Sequence, residues 1–158
     1  MPSKGSSLLA GRNKAPLTSE QMSRATNTFL GFDSNVSTRY DANASTAFRV
    51  TRDERGTPFG EIVFGPDIYP GISVVDPNAG LSLPAASAHE LTHYHRWVNM
   101  LVLNDDRLEH LDQAFTSLQA ISRCHAKLND IDVRQLASDA MLRIQLFIAE
   151  VLSEIDGK

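Results

Sequence analysis

His89-Glu90-Leu91-Thr92-His93 sets two imidazoles four residues apart, with a carboxylate beside the first. On a helix the two histidines fall within about 40° of one another and one turn apart, so both rings can reach a single ion. Two ring nitrogens make half of a tetrahedral zinc site. Glu90 lies about 60° to one side of His93, where its carboxylate addresses a water at the open position rather than the ion itself. The chemistry this predicts is hydrolysis: zinc brings a water's pKa down to about 7 and polarises a carbonyl, while Glu90 takes the proton as general base.

The motif needs a helix to carry it, and the flanking pattern supplies one. Ser82 is placed to cap a helix with Pro84 in its first turn, and Ala85, Ala88, Leu91, Val98 and Leu101 continue it to about Leu103. Asn104 and Asp105 then cap a second helix with Leu108, Leu111, Phe115, Leu118 and Ile121 on one face. A third begins near Asp130, and its period through Leu136, Ala140, Ile144, Phe147, Ile148, Val151 and Ile155 predicts a core helix. Upstream, residues 46–51 alternate like a half-buried strand, residues 53–58 form a polar turn, and residues 59–65 form a second strand, which together read as a hairpin. Residues 72–76 read as a third short strand. Residues 1–46, rich in Ser, Thr, Asn and Gly without a sustained apolar period, read as a flexible or loosely ordered segment. The expected class is α+β, a small N-terminal β-sheet followed by three α-helices, with residues 47–158 as the domain.

The composition suits one core: 158 residues, 42% of them hydrophobic and 22% charged. Fifteen Lys and Arg against nineteen Asp and Glu leave a net charge of −4, which argues against nucleic acid as a partner. Cys124 is the single cysteine, so an intrachain disulfide and a cysteine-rich metal site are both excluded, and a reducing compartment is the natural setting. No apolar run has the length of a membrane span. A soluble, cytoplasmic protein is the expectation.

Ala88-His89-Glu90-Leu91-Thr92-His93 resembles the active-site helix of the zincin metallopeptidases, most closely the thermolysin-like gluzincins, over residues 85–117. The resemblance implies a zincin-like fold around this helix, a Zn2+ cofactor and peptide-bond hydrolysis. It also implies a third ligand, a glutamate of the next helix twenty residues beyond the second histidine, in an Asn-Glu-Ala-like run. That offset falls here on Gln113, within Asp112-Gln113-Ala114, and a glutamine carbonyl is a neutral and weaker oxygen donor. Helix geometry offers His110 as the rival third ligand, one turn from Gln113 on a stripe with Asp106 and Ser117. Asp106 is then a candidate to orient a ligating imidazole. Arg96 reads as an ordinary ion pair or a grip on a substrate carboxylate, and Trp97 as core or a wall of the site. The expected function is a zinc-dependent metallopeptidase-like protein that cuts a peptide bond in a specific protein partner, its substrate a protein or peptide. The alternative is a zincin-fold binding or regulatory module with weak or absent catalysis, which Gln113 favours and Glu90 opposes.

Overall fold

A computed structural model describes residues 8–9, 11–71 and 80–157. Its elements run α1 (Ser19–Phe32), β1 (Ser37–Tyr40), β2 (Ala47–Arg52), β3 (Pro58–Phe64), α2 (Leu83–Val98), α3 (Glu109–Cys124) and α4 (Asp130–Asp156), with short 3-10 turns at Pro66–Ile68, Asp106–Leu108 and His125–Lys127. This is an α+β arrangement. The hairpin forms as its pattern predicts, with Phe48 of β2 opposite Ile62 of β3 in an antiparallel ladder. Its turn is held by the Asp53 carboxylate, which accepts from the amides of Arg55 and Thr57, while Gly56 takes a φ of 78° that other residues resist. The strand expected at residues 72–76 lies outside the described residues.

The third strand of the sheet comes from a part of the chain that reads as loosely ordered. Residues 19–40 instead hold α1 and β1, and β1 pairs in parallel with β3, giving the order β1-β3-β2. Thr18 and Gln21 form a capping box that starts α1. Only Ala25 and Phe29 of this helix are fully buried, so its apolar face is too narrow to register as a period among the surrounding Ser, Thr and Asn. Phe29 meets Phe64 at a ring separation of 5.9 Å, and Ile62, Ile68, Leu91 and Leu136 complete the fully buried centre. Arg12 anchors the stretch before α1 by donating to the carbonyls of Asp67, Ile68 and Leu81 at 2.8, 2.9 and 2.6 Å.

Two further differences concern the helices. α2 stops at Val98, short of Leu103, because Met100 adopts a left-handed φ of 55° and the amides of Met100 and Leu101 bond back to the carbonyls of Trp97 and Arg96. That is a Schellman turn built without the usual glycine, so no residue type announces it. α4, 27 residues and about 40 Å long, buries Asp132, Gln135, Leu136, Asp139, Ala140 and Arg143, while Met141, Ile148, Val151, Leu152 and Ile155 are exposed. Likewise α3 buries Asp112, Thr116 and Ser117 and exposes Phe115 and Leu118. The buried face of both helices therefore combines a few apolar side chains, Leu136 and Ala140 of α4 and Ala114 and Ala120 of α3, with polar groups that satisfy one another across the interface. Among the described residues no helix is long and apolar enough to cross a membrane.

The Arg12 anchor gives a direct measure of how firmly the N-terminal stretch belongs to the fold. Arg12→Met strands three carbonyls and should lower the unfolding free energy by about 3 kcal/mol in urea denaturation. A change within experimental error would restore the reading of this stretch as a loose appendage.

Candidate metal centre

Ser82 sets the helix that carries the motif. Its hydroxyl accepts from the Ala85 amide and donates to Asp132 at 2.5 Å, and its own amide donates to Gln135 at 2.7 Å, so the start of α2 is clamped to the start of α4. Two turns along α2, His89 and Glu90 are fully buried and His93 is 9% exposed. The two Nε2 atoms stand 3.1 Å apart, and Oε1 of Gln113, from α3, lies 2.9 Å from that of His89 and 2.8 Å from that of His93. Donor atoms of His89, Glu90 and His93 all fall within 4.8 Å of one another, a grouping that could hold a metal ion.

Hydrogen-bond accounting assigns the protons. The Ser117 hydroxyl donates to Oδ2 of Asp139 at 2.5 Å, and Nε of Arg143 donates to the same oxygen at 2.8 Å. Having given its only proton, Ser117 Oγ accepts from Nδ1 of His89 at 2.7 Å. Thr116 donates to the Asp112 carbonyl at 2.8 Å, which leaves its oxygen to face Nδ1 of His93 as a long acceptor at 3.4 Å. His89 thus carries its proton on Nδ1 and turns an Nε2 lone pair towards the Gln113 side chain. Both Nε2 atoms and the Gln113 side-chain oxygen converge within 3.1 Å of one another, a grouping that suits a cation when His93 also presents its Nε2 lone pair.

Burial dominates the titration of both rings. It pushes the His89 pKa well below the usual histidine value, helped by His93 and Arg143, and lowers His93 to about 4 against the opposing pull of Asp112. Each is neutral at pH 7, the form in which imidazole ligates. Glu90 accepts the Phe48 amide of β2 at 3.1 Å, so the hairpin edge positions its carboxylate. The Phe48 ring packs against Tyr94 and Trp97, and Gly60 makes room for it, since a Cβ there would come within 2.6 Å of the ring. Trp97 therefore belongs to the aromatic cluster over the hairpin.

Of the two candidates for the third ligand, Gln113 is the one brought against both imidazoles, whereas His110 pairs with Glu150 of α4 at 3.1 Å. Arg96 forms a buried ion pair with Asp112 at 2.5 Å. Asp106 lies in the short turn before α3, and the groups that hold His89 Nδ1 are Ser117 and, through it, Asp139. Thr116, Asp139 and Arg143 also hold the site and lie outside the motif. A signal was present in α4, where Asp132, Asp139 and Arg143 recur at helical spacing on the side of Leu136 and Ala140, charges on a stripe that faces inward. No protein family, curated protein or solved structure matches the chain.

The His93 shift has a definite pH signature. The unfolded chain binds a proton there below about 6.5, the folded protein only near 4, so the stability this group supplies is complete above 6.5 and is lost as the pH falls towards 4. In metal-free protein the urea midpoint should drop across that window, and drop less in His93→Asn. Equal slopes in the two proteins would assign the acid sensitivity to other groups.

Proposed function

We propose that the chain is a zinc-dependent hydrolase of the metallopeptidase type, with His89, His93 and Gln113 as ligands and Glu90 as general base. The convergence of both Nε2 atoms and Gln113 Oε1, each within 3.1 Å of the other two, is the observation that carries this reading. Ligand atoms about 2.0–2.1 Å from a tetrahedral zinc stand about 3.3 Å apart, so a triangle with sides of 2.8, 2.9 and 3.1 Å needs to open by only a few tenths of an ångström. When bound, zinc supplies a Lewis acid that polarises a carbonyl and acidifies water. Glu90, held by the Phe48 amide and adjacent to His89, takes a proton from the attacking water and returns it to the leaving amine. Ser117, backed by Asp139 and Arg143, keeps the His89 lone pair on the ligating nitrogen. The substrate is a peptide bond in a protein or peptide partner, and the single buried thiol of Cys124 suits a cytoplasmic setting.

A second reading, a zincin-fold binding or regulatory module without turnover, is favoured by Gln113, whose neutral oxygen withholds the charge that a carboxylate would give the ion. Metal analysis of the full chain separates the possibilities. The hydrolase reading expects about one zinc per chain, lost in His93→Ala, with Glu90→Gln keeping the zinc and losing at least about a hundredfold in cleavage of a fluorogenic peptide library. Zinc binding without cleavage by the wild type would select the module. A wild type that takes up no zinc would mean that the Gln113 amide nitrogen, rather than its oxygen, faces the rings and satisfies both lone pairs without an ion.

Gln113→Glu should tighten zinc by about tenfold or more in competition with a chelator, because it adds a negative ligand without moving the backbone. An unchanged affinity would remove residue 113 from the ligand set.

A further inference from the structure

The C-terminal half of α4 has two sides of different character. On the inner side Leu146, Ala149 and Glu150 line a cavity of about 910 Å3 beside Gln113. On the other, Met141, Ile144, Ile148, Val151 and Ile155 follow one another at alternating steps of three and four residues, the spacing of a helix that packs along a second helix. Ile148, at the middle of this stripe, points about 180° away from Asp139, which faces α3 through Ser117. The stripe stands in solvent: Met141, Ile148, Leu152 and Ile155 are 57, 48, 53 and 62% exposed, and Val151 is 37% exposed. At about 200 Å2 for a large apolar residue in the open chain, these five leave roughly 500 Å2 of apolar surface. That equals the largest patch of an ordinary monomer, and two such stripes with their polar flanks bury about 1,200 Å2, where specific interfaces begin.

The charges at the two ends indicate what covers it. Arg134 lies on the same stripe, seven residues before Met141, and its pair with Asp130 at 3.6 Å is an exposed contact within one helix that holds it weakly. Asp156 stands at the far end, one residue beyond Ile155, and residues 144–157 contain no Lys or Arg. A stripe that is basic at its start, apolar in its middle and acidic at its end complements a copy of itself turned end for end. A parallel copy sets acid on acid, and anionic lipid is repelled by the same end. We propose that this face of α4 is the interface of a homodimer, in which a second copy lays its own α4 antiparallel along the stripe and Arg134 of each copy meets Asp156 of the other. Such an interface uses one patch on both copies and closes at two. The face is separate from the metal centre, so the proposal is independent of the hydrolase reading.

Sedimentation equilibrium of the full chain at low ionic strength, from about 1 to 200 µM, tests it. The mass should rise from one chain to two across that range. Ile148→Lys with Leu152→Lys should remain a single chain throughout, with its helical circular dichroism unchanged because both positions are exposed. Ile148→Gln with Leu152→Gln serves if the charged protein does not fold. Arg134→Glu and Asp156→Arg should each weaken association by about fivefold or more, and the two together should restore it. A wild type that stays a single chain throughout, association that survives both pairs of stripe substitutions, or a double charge variant no tighter than its single parents overturns the proposal. So does a single chain that binds phosphatidylserine vesicles and loses them with Ile148→Lys and Leu152→Lys, which assigns the face to lipid.

Discussion

Arg96 on α2 and Asp112 on α3 meet at 2.5 Å with almost no exposure, and neither can leave the other without stranding a charge in the protein interior. Breaking such a pair by removing one partner costs about 3–5 kcal/mol, so α2 and α3 are held to a single register. The same two side chains also fix the loop between the helices, Arg96 through the Leu101 carbonyl and Asp112 through the Leu103 amide. With that register set, Gln113 and Thr116, one and four residues beyond Asp112, are delivered to the two nitrogens of His93. The centre is thus a consequence of an ion pair three residues along the helix from its second histidine.

α4 extends this logic along the other side. Asp132 and Gln135 hold Ser82 at the start of α2, and Asp139, one to two turns further on, holds Ser117 and through it His89. Hydrogen bonds of this kind are directional and cannot slide by a residue without leaving buried groups unpaired, whereas apolar packing tolerates such shifts. Orienting the imidazoles to sub-ångström tolerance requires the directional kind. The consequence for the helix is that several of its polar residues face inward and much of its apolar stripe faces out, which leaves the far half of α4 to line the cavity beside Gln113 rather than the core.

Legibility follows from how local each cause is. The β2–β3 hairpin was readable because alternation and an Asp-to-Gly turn are properties of adjacent residues. The start of α2 was readable because Ser82 caps its own helix, and α4 because its apolar period begins near Asp130. The end of α2 was not, since Met100 takes its left-handed conformation without a glycine to mark it. Nor was α1, whose burial rests on two side chains, nor the parallel pairing of β1 with β3, which joins segments more than twenty residues apart.

Two imidazoles on one face of a helix, with a carboxylate beside them, follow from a four-residue spacing and a helical rise, and the sequence alone determines that much. Whether a third donor meets them, and whether it is Gln113 or His110, depends on the rotation of α3 against α2. That rotation is decided by Arg96–Asp112 and by the reach of Asp139 through Ser117, contacts between residues 16 and 22 positions apart. Helical periodicity specifies the angle between residues within one helix and is silent on the angle between two. Only the pairing of buried charges and hydroxyls, which needs every partner in place at once, resolves it.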